Sequence, residues 1–214
     1  MRSKESEAIS RTRRARREDL IAAAIRVISR DGYRAASLDR IAQEAGTSKG
    51  TALYHFSSKE ELYGAVVTRL YEAGAAFMAE RLRTASTPTE KLRAYLDSNL
   101  RFITLNPAHV GATQRILENS DAIQTIQLDD AAAPLRRLLE SGQDSGEFGV
   151  FDPEVTALSI RSVIDVAAFY FLRHPELDLD HYIGEAVALF LRSVRPAPAT
   201  PASTAPTIDS EDAS

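Results

Sequence analysis

The chain has 214 residues, 44% hydrophobic and 26% charged, values of an ordinary globular protein of one domain or two small ones. It has no cysteine, which excludes disulfides, thiolate nucleophiles and cysteine-based zinc sites and fits a reducing compartment. The net charge of −4 is unevenly placed: residues 1–60 carry 13 Lys+Arg against 8 Asp+Glu, a net of +5, and residues 61–214 carry 13 against 22, a net of −9. A basic end on an acidic body concentrates attraction for phosphate at that end.

Residues 1–15 show no apolar periodicity and are expected to form a disordered basic arm. The cluster Arg11, Arg13, Arg14, Arg16 and Arg17 reads equally as a solvated tail and as a phosphate contact. From Arg16 to Arg30, Leu20, Ile21, Ala24, Ile25 and Ile28 share one helical face, and Asp31-Gly32 stops that helix. The apolar run LIAAAIRVI is short and carries Arg26, and no segment approaches the ~20 apolar residues that span a bilayer. A cytoplasmic protein without membrane association is expected. Ser37 offers an N-cap for a helix carrying Leu38, Ile41, Ala42 and Ala45, and Gly46 stands where a C-terminal glycine belongs. Thr47 or Ser48 caps the next helix, which ends in Tyr-His-Phe.

Ser57-Ser58-Lys59-Glu60-Glu61 contains the capping-box spacing twice and opens a helix to about Arg83, with Leu62, Val66, Leu70, Ala73 and Phe77 in step. Thr87-Pro88-Thr89-Glu90 starts another, to about Leu105. His109 to Glu140 reads as helical but broken, with Pro134 inside it, and Gly142, Gly146 and Gly149 punctuate a loop. Asp152-Pro153-Glu154 begins a helix through about Leu172. Asp178 or Asp180 begins the last, to Arg195. Residues 196–214, rich in Pro, Ala, Ser and Thr, are expected to be a disordered tail. No stretch shows strand alternation, so the predicted fold is all-α with about nine helices.

Ser37 to Phe56 carries the chemistry. Two short helices joined by a glycine turn match a helix-turn-helix, whose second helix enters the major groove N-terminus first. Its free backbone N–H groups and dipole suit a phosphate. Thr47, Ser48 and Thr51 can donate to phosphate oxygens, Lys49 can neutralise a phosphate or reach guanine, and Gly50 permits close approach. Tyr54 and His55 can contact backbone or base edges, and Lys59 stands at the mouth of the next helix. Capping alone also accounts for Ser37, Thr47 and Ser58.

Residues Arg16 to Val67 resemble the DNA-binding domain of the TetR (tetracycline-repressor-like) transcriptional regulators. The matching elements are Gly32-Tyr33, Ser37, Ile41-Ala42, Ala45-Gly46, Ser48-Lys49-Gly50, His55-Phe56, Lys59-Glu60 and Leu62. Family members usually carry an apolar residue then Tyr where this chain has Ala52 then Leu53. The aromatic falls one place later, at Tyr54, a rotation of about 100° on a helix. Leu53 therefore occupies the place of the usual phosphate-contacting Tyr, and Tyr54 is turned elsewhere.

The resemblance implies a three-helix DNA-binding head over residues 16–60 and a helical ligand-binding and dimerisation domain over residues 61–195. In PEVTALSIRSVIDVAAFYFL apolar residues surround most of the helix, as for one facing its own core and a partner subunit. Arg161, Asp165, Tyr182 and Phe190 are candidates for that interface, the first two as an ion pair at i,i+4 spacing. His109, Gln114, Arg115 and Glu118 are candidates for lining an effector pocket, with Phe77, Phe102, Phe169 and Tyr170 as aromatic walls. Such a lining suits a hydrophobic or aromatic effector. The expected protein is a homodimeric repressor, released by a small molecule from a palindromic double-stranded operator. No metalloprotease, nucleophile-elbow, phosphate-loop or dinucleotide motif is present, so no enzyme, cofactor or metal is expected. A grouping of Asp178, Asp180 and His181 reads better as helix capping. The alternative is a helical ligand-binding or protein-interaction protein whose N-terminal hairpin is only structural.

Overall fold

A computed structural model describes residues 2–197, with the side chains of 2–9 and 121–131 outside the description. The expected tail at 196–214 therefore lies almost wholly outside the described residues. Among those described, the chain forms helices and no strand. In order they are α1 Arg2–Asp31, α2 Leu38–Glu44, α3 Lys49–His55, α4 Lys59–Thr84, α5 Pro88–Leu105, α6 Pro107–Leu117, α7 Asp121–Asp144, α8 Pro153–Arg173 and α9 Leu179–Ser193.

The first helix departs from expectation. It begins at Arg2, where a disordered arm was expected over residues 1–15. Residues 2–15 lack an apolar face, which removes one signal for a helix and does not forbid one. They also lack Gly and Pro, so nothing in their sequence breaks a helix. Gly32 and Gly46, at φ 86° and 66°, end α1 and α2 in the left-handed region. After α2 the turn is a Schellman motif, with Thr47 N–H donating to Ala42 O at 2.9 Å and Gly46 N–H to Gln43 O at 3.0 Å.

Side-chain caps fix the helix starts. Ser37, Ser48, Ser58 and Asp178 each accept from a backbone N–H in the first turn of α2, α3, α4 and α9. Thr87 and Glu90 complete a reciprocal capping box on α5. At α4 the box is split: Glu61 reaches back to Ser57, accepting from its N–H at 2.7 Å and its hydroxyl at 2.8 Å. The expected break between His109 and Glu140 falls at residues 118–120, between α6 and α7, and not at Pro134; α7 runs through Pro134 and Gly142 to Asp144, so the expected loop starts later. At Gly142 a Cβ would stand 1.9 Å from the buried ring of Phe148, so packing demands glycine there.

Two apolar clusters organise the molecule. The head cluster joins Leu20, Ala24, Val27 and Ile28 of α1 to Ile41, Ala42, Ala52 and Phe56, and continues into Leu62, Tyr63, Val66 and Val67 of α4 and Ala112 and Ile116 of α6. The boundary expected between residues 60 and 61 thus falls inside a shared core. The bundle cluster packs Leu92, Leu96 and Leu100 of α5 against Leu135 and Leu139 of α7, Ile160 and Ile164 of α8, and Ile183 and Val187 of α9. Two hydrogen-bonded links bind bundle to head. His109 Nε2–H donates to Val66 O at 2.9 Å, and Arg115 donates to Ile28 O and Ser29 O, both at 2.8 Å.

Helix α8 corrects the reading of membrane potential from sequence: by length and composition it could cross a bilayer, at mean hydropathy 1.6. It carries the Arg161–Asp165 pair and buries Ala157, Ile160, Ile164, Ala167 and Phe171 in the bundle.

Candidate nucleic-acid interface

Helix α3 separates cleanly into two faces. Lys49, Gly50, Leu53 and Tyr54 are exposed, whereas Ala52 and His55 are buried and Thr51 is half-buried. Exposed positions at i, i+1, i+4 and i+5 form one stripe, which begins at the unpaired N–H groups of the first turn. Leu53 and Tyr54 are 44% and 69% exposed, so both large apolar side chains stand in solvent beside Lys49. Ser48 caps the helix, accepting from Thr51 N–H at 3.1 Å, and its hydroxyl lies 3.0 Å from that of Thr51. Ser37 caps α2 through Arg40 N–H at 3.2 Å.

Three expected contact residues sit differently. His55 is only 8% exposed, and its Nδ1 is buried without a hydrogen-bond partner. Burial, then the charges of Arg13, Arg17 and Arg16, push its pKa down, so the imidazole is neutral and belongs to the packing of α3 on α1. Thr47 is half-buried, lining a narrow recess with Arg16, Asp19, Leu20 and His55. Lys59 is half-buried with its ammonium 4.7 Å from the Tyr33 ring centroid and 5.0 Å from that of Tyr63.

Two residues of this surface were legible in the sequence only as members of the terminal arginine cluster, equally a tail or a phosphate contact. Arg13 lies over the Tyr54 ring at 5.4 Å, and Arg17 lies over Phe56 at 4.0 Å while donating to His55 O and to Glu61. They are four apart on α1, so one face of its basic stretch clasps the end of α3. The i,i+4 spacing within the arginine cluster was the available signal.

The other candidates scatter. Phe77 and Phe102 meet between α4 and α5 with centroids 5.7 Å apart, and Arg81 lies over Phe77 at 4.5 Å. Burial pushes the His109 pKa down. Gln114 is half-buried, but Glu118 is exposed and Arg115 turns to the C-terminal carbonyls of α1, where a guanidinium complements the helix dipole. Phe169 and Tyr170 are about two-fifths exposed on α8. Of the expected interface residues, Phe190 is buried in its own bundle and Arg161 is 9% exposed. Tyr182 packs edge-on against Phe171 at 5.0 Å. The exposed apolar residues of α8 are instead Val155, Leu158, Val166, Phe169, Tyr170 and Leu172. An open cleft of about 520 Å³ is lined by Arg81, Glu90, Arg93, Asp97, Gly184 and Val187, none of them expected pocket residues. Asp178 caps α9, as expected, and Asp180 pairs with Arg101 at 2.7 Å.

Residues 20–66 match the family of bacterial regulatory proteins of the tetR type, and residues 85–194 match the tetracyclin repressor-like C-terminal domain. The HTH-type transcriptional activator FasR of Mycolicibacterium smegmatis is 34% identical over 64% of this chain, which there spans 58% of FasR. The HTH-type regulator YhgD of Bacillus subtilis is 25% identical over 79% of the chain and 91% of its own length. Among solved structures, a tetR-family regulatory protein from Rhodococcus RHA1 superposes with TM-score 0.73 at 25% identity, over 86% of this chain and 98% of that one. FadR of Bacillus halodurans shares the fold, with TM-score 0.74 at 22% identity over 82% and 94%. With a helix-turn-helix head and both of its parts matched, the chain belongs to the TetR family of transcriptional regulators.

Proposed function

We propose that the chain is a homodimeric repressor that binds a palindromic operator through α3 and releases it when a small molecule occupies the helical bundle. The observation that carries the reading is the exposed stripe Lys49, Gly50, Leu53 and Tyr54, which starts at the helix N-terminus. Lys49 meets phosphate, Leu53 and Tyr54 meet base edges and thymine methyl groups, and Ser37, Ser48 and Thr51 hold hydroxyls at the same surface. Arg13, stacked on Tyr54, extends that surface onto α1.

Dimerisation is supported by the exposed apolar face of α8 and by Leu189 of α9, which is 53% exposed. A two-fold axis there sets two α3 helices about one turn of DNA apart, at roughly 34–36 Å. The same geometry makes release simple, because a small rotation of the heads spoils that spacing. The effector is hydrophobic or aromatic and the protein works in the cytoplasm.

The test is a mobility-shift titration on DNA upstream of the chain's own gene, followed by footprinting. A protected palindrome and affinity that falls steeply with salt are expected. Tyr54→Ala should weaken binding while sedimentation still shows a dimer. Salt-independent binding, or no protected palindrome, sinks the proposal.

A further inference from the structure

Among the described residues, Arg161 is the only lysine or arginine that is buried, at 9% exposure. It sits on α8, which packs against α5, and α4 packs against α5 as well. The phenols of Tyr71 on α4 and Tyr95 on α5 both interact with this guanidinium. Asp165, one turn along α8, takes a single hydrogen bond from it, Nη2–H to Oδ1 at 2.8 Å. Burying a guanidinium against one half-exposed carboxylate is a poor source of stability compared with apolar packing, so its presence asks for a use.

The hydrogen-bonding capacity at this point is lopsided. A guanidinium offers five N–H donors, against one Asp165 oxygen that accepts a single bond and the oxygens of the two phenols, each of which keeps an O–H to donate elsewhere. The carboxylate is also placed to leave. Asp165 keeps 45% of its side chain accessible, yet burial raises its pKa in spite of the adjacent Arg161. The pair therefore spans the edge of the bundle core, guanidinium inward at 11% side-chain accessibility and carboxylate outward. The half-buried apolar side chains of Phe77, Met78 and Phe102 line the α4–α5 seam nearby.

We propose that Arg161, with Tyr71 and Tyr95, is the polar anchor of the effector site and takes the carboxylate of an otherwise apolar ligand, which displaces Asp165 from the guanidinium. This rests on the reading of the bundle as an effector-binding domain and names the chemical class of that effector. The anchor gives direction: the anion goes to α8, and the apolar body lies along α4 and α5. The two phenols serve as donors to the second carboxylate oxygen, a geometry that planar, forked recognition favours.

The experiment uses the full-length protein with decanoate and benzoate, against decylamine and decanol, below their micelle concentrations. Melting temperature and operator release are read together. At least one carboxylate should raise the melting temperature and release DNA, while the amine and the alcohol do neither. Tyr71→Phe combined with Tyr95→Phe should weaken carboxylate binding by about tenfold. Arg161→Met should abolish the response and keep ligand-free DNA binding. Asp165→Asn removes the competing anion, so it should tighten carboxylate binding severalfold, which a purely structural ion pair does not predict. Weaker carboxylate binding in Asp165→Asn, a response to decylamine alone, or no response to either carboxylate overturns the proposal. If Arg161→Met does not fold, the Asp165→Asn and double Tyr→Phe results decide. Failure of the ligand-free wild type to shift operator DNA is a separate result, which overturns the regulator reading itself.

Discussion

Lys49→Ala isolates the electrostatic contribution of α3. Lys49 is the first residue of the helix, exposed, one position past the Ser48 cap and beside the unpaired N–H groups of the first turn. In a dimer the substitution removes two cation–phosphate contacts. Each contact contributes about −0.9 to the slope of log affinity against log salt, so the slope should flatten by about 1.8. Between about 50 and 200 mM salt, wild-type affinity should therefore fall roughly tenfold further than that of the variant. Fluorescence anisotropy on a labelled operator, measured across that range, gives both slopes directly. Lys91→Ala, on the bundle, serves as control and should leave the slope unchanged. A Lys49→Ala slope equal to wild type refutes the assignment of this end of α3 to the phosphate backbone, whatever happens to affinity at one salt concentration.

Gly142→Ala places a methyl 1.9 Å from the Phe148 ring, which is 5% exposed and hemmed in, and should cost about 1–3 kcal/mol in urea unfolding. A variant as stable as wild type would mean that the loop after α7 is not packed as described. Tyr63→Phe removes the buried O–H that donates to Ala36 O at 2.7 Å and leaves that carbonyl unpaired, for a loss of about 1–3 kcal/mol, visible as a lower urea midpoint at unchanged slope. The pH dependence follows from His55 and His109, whose pKa values burial lowers from 6.5 in the folded state. The unfolded chain then binds more protons, so their contribution is present above pH 6.5 and lost as pH falls below it. Urea midpoints between about pH 7.5 and pH 5.5 should decline, and His109→Gln should shrink the decline.

Local chemistry was legible in the sequence wherever a few neighbouring residues decide the outcome. Ser37, Thr87, Asp152 and Asp178 cap helices because a side-chain oxygen needs only an N–H two or three residues away. The face of α3 was legible in part: Lys49 and Gly50 must be outside if Ala52 is inside. His55 was not, because its burial depends on where α1 passes, and α1 is set by contacts far along the chain. The surroundings of Arg115, Phe190 and Arg161 were not legible for a related reason. Periodicity tells which side of a helix is buried, but not whether the cover is another helix of the same subunit, a ligand or a partner. The start of α1 was missed because absent amphipathicity was taken as absent helix. Gly142 had no local signature, since the atom that excludes a side chain there belongs to Phe148.

The apolar cluster of the head is completed by Ala112 and Ile116 of α6, and Arg115 from the same helix closes the carbonyl end of α1. Residues nearly a hundred positions downstream thus finish a core that begins at Leu20. The reading head is consequently not a module that can be cut free and transplanted. Severed near residue 60, it loses Leu62, Tyr63, Val66 and Val67 along with the lid of α6, and faces water with an open apolar side. Damage to the bundle that disturbs α4 or α6 should then be felt as loss of the DNA-reading head.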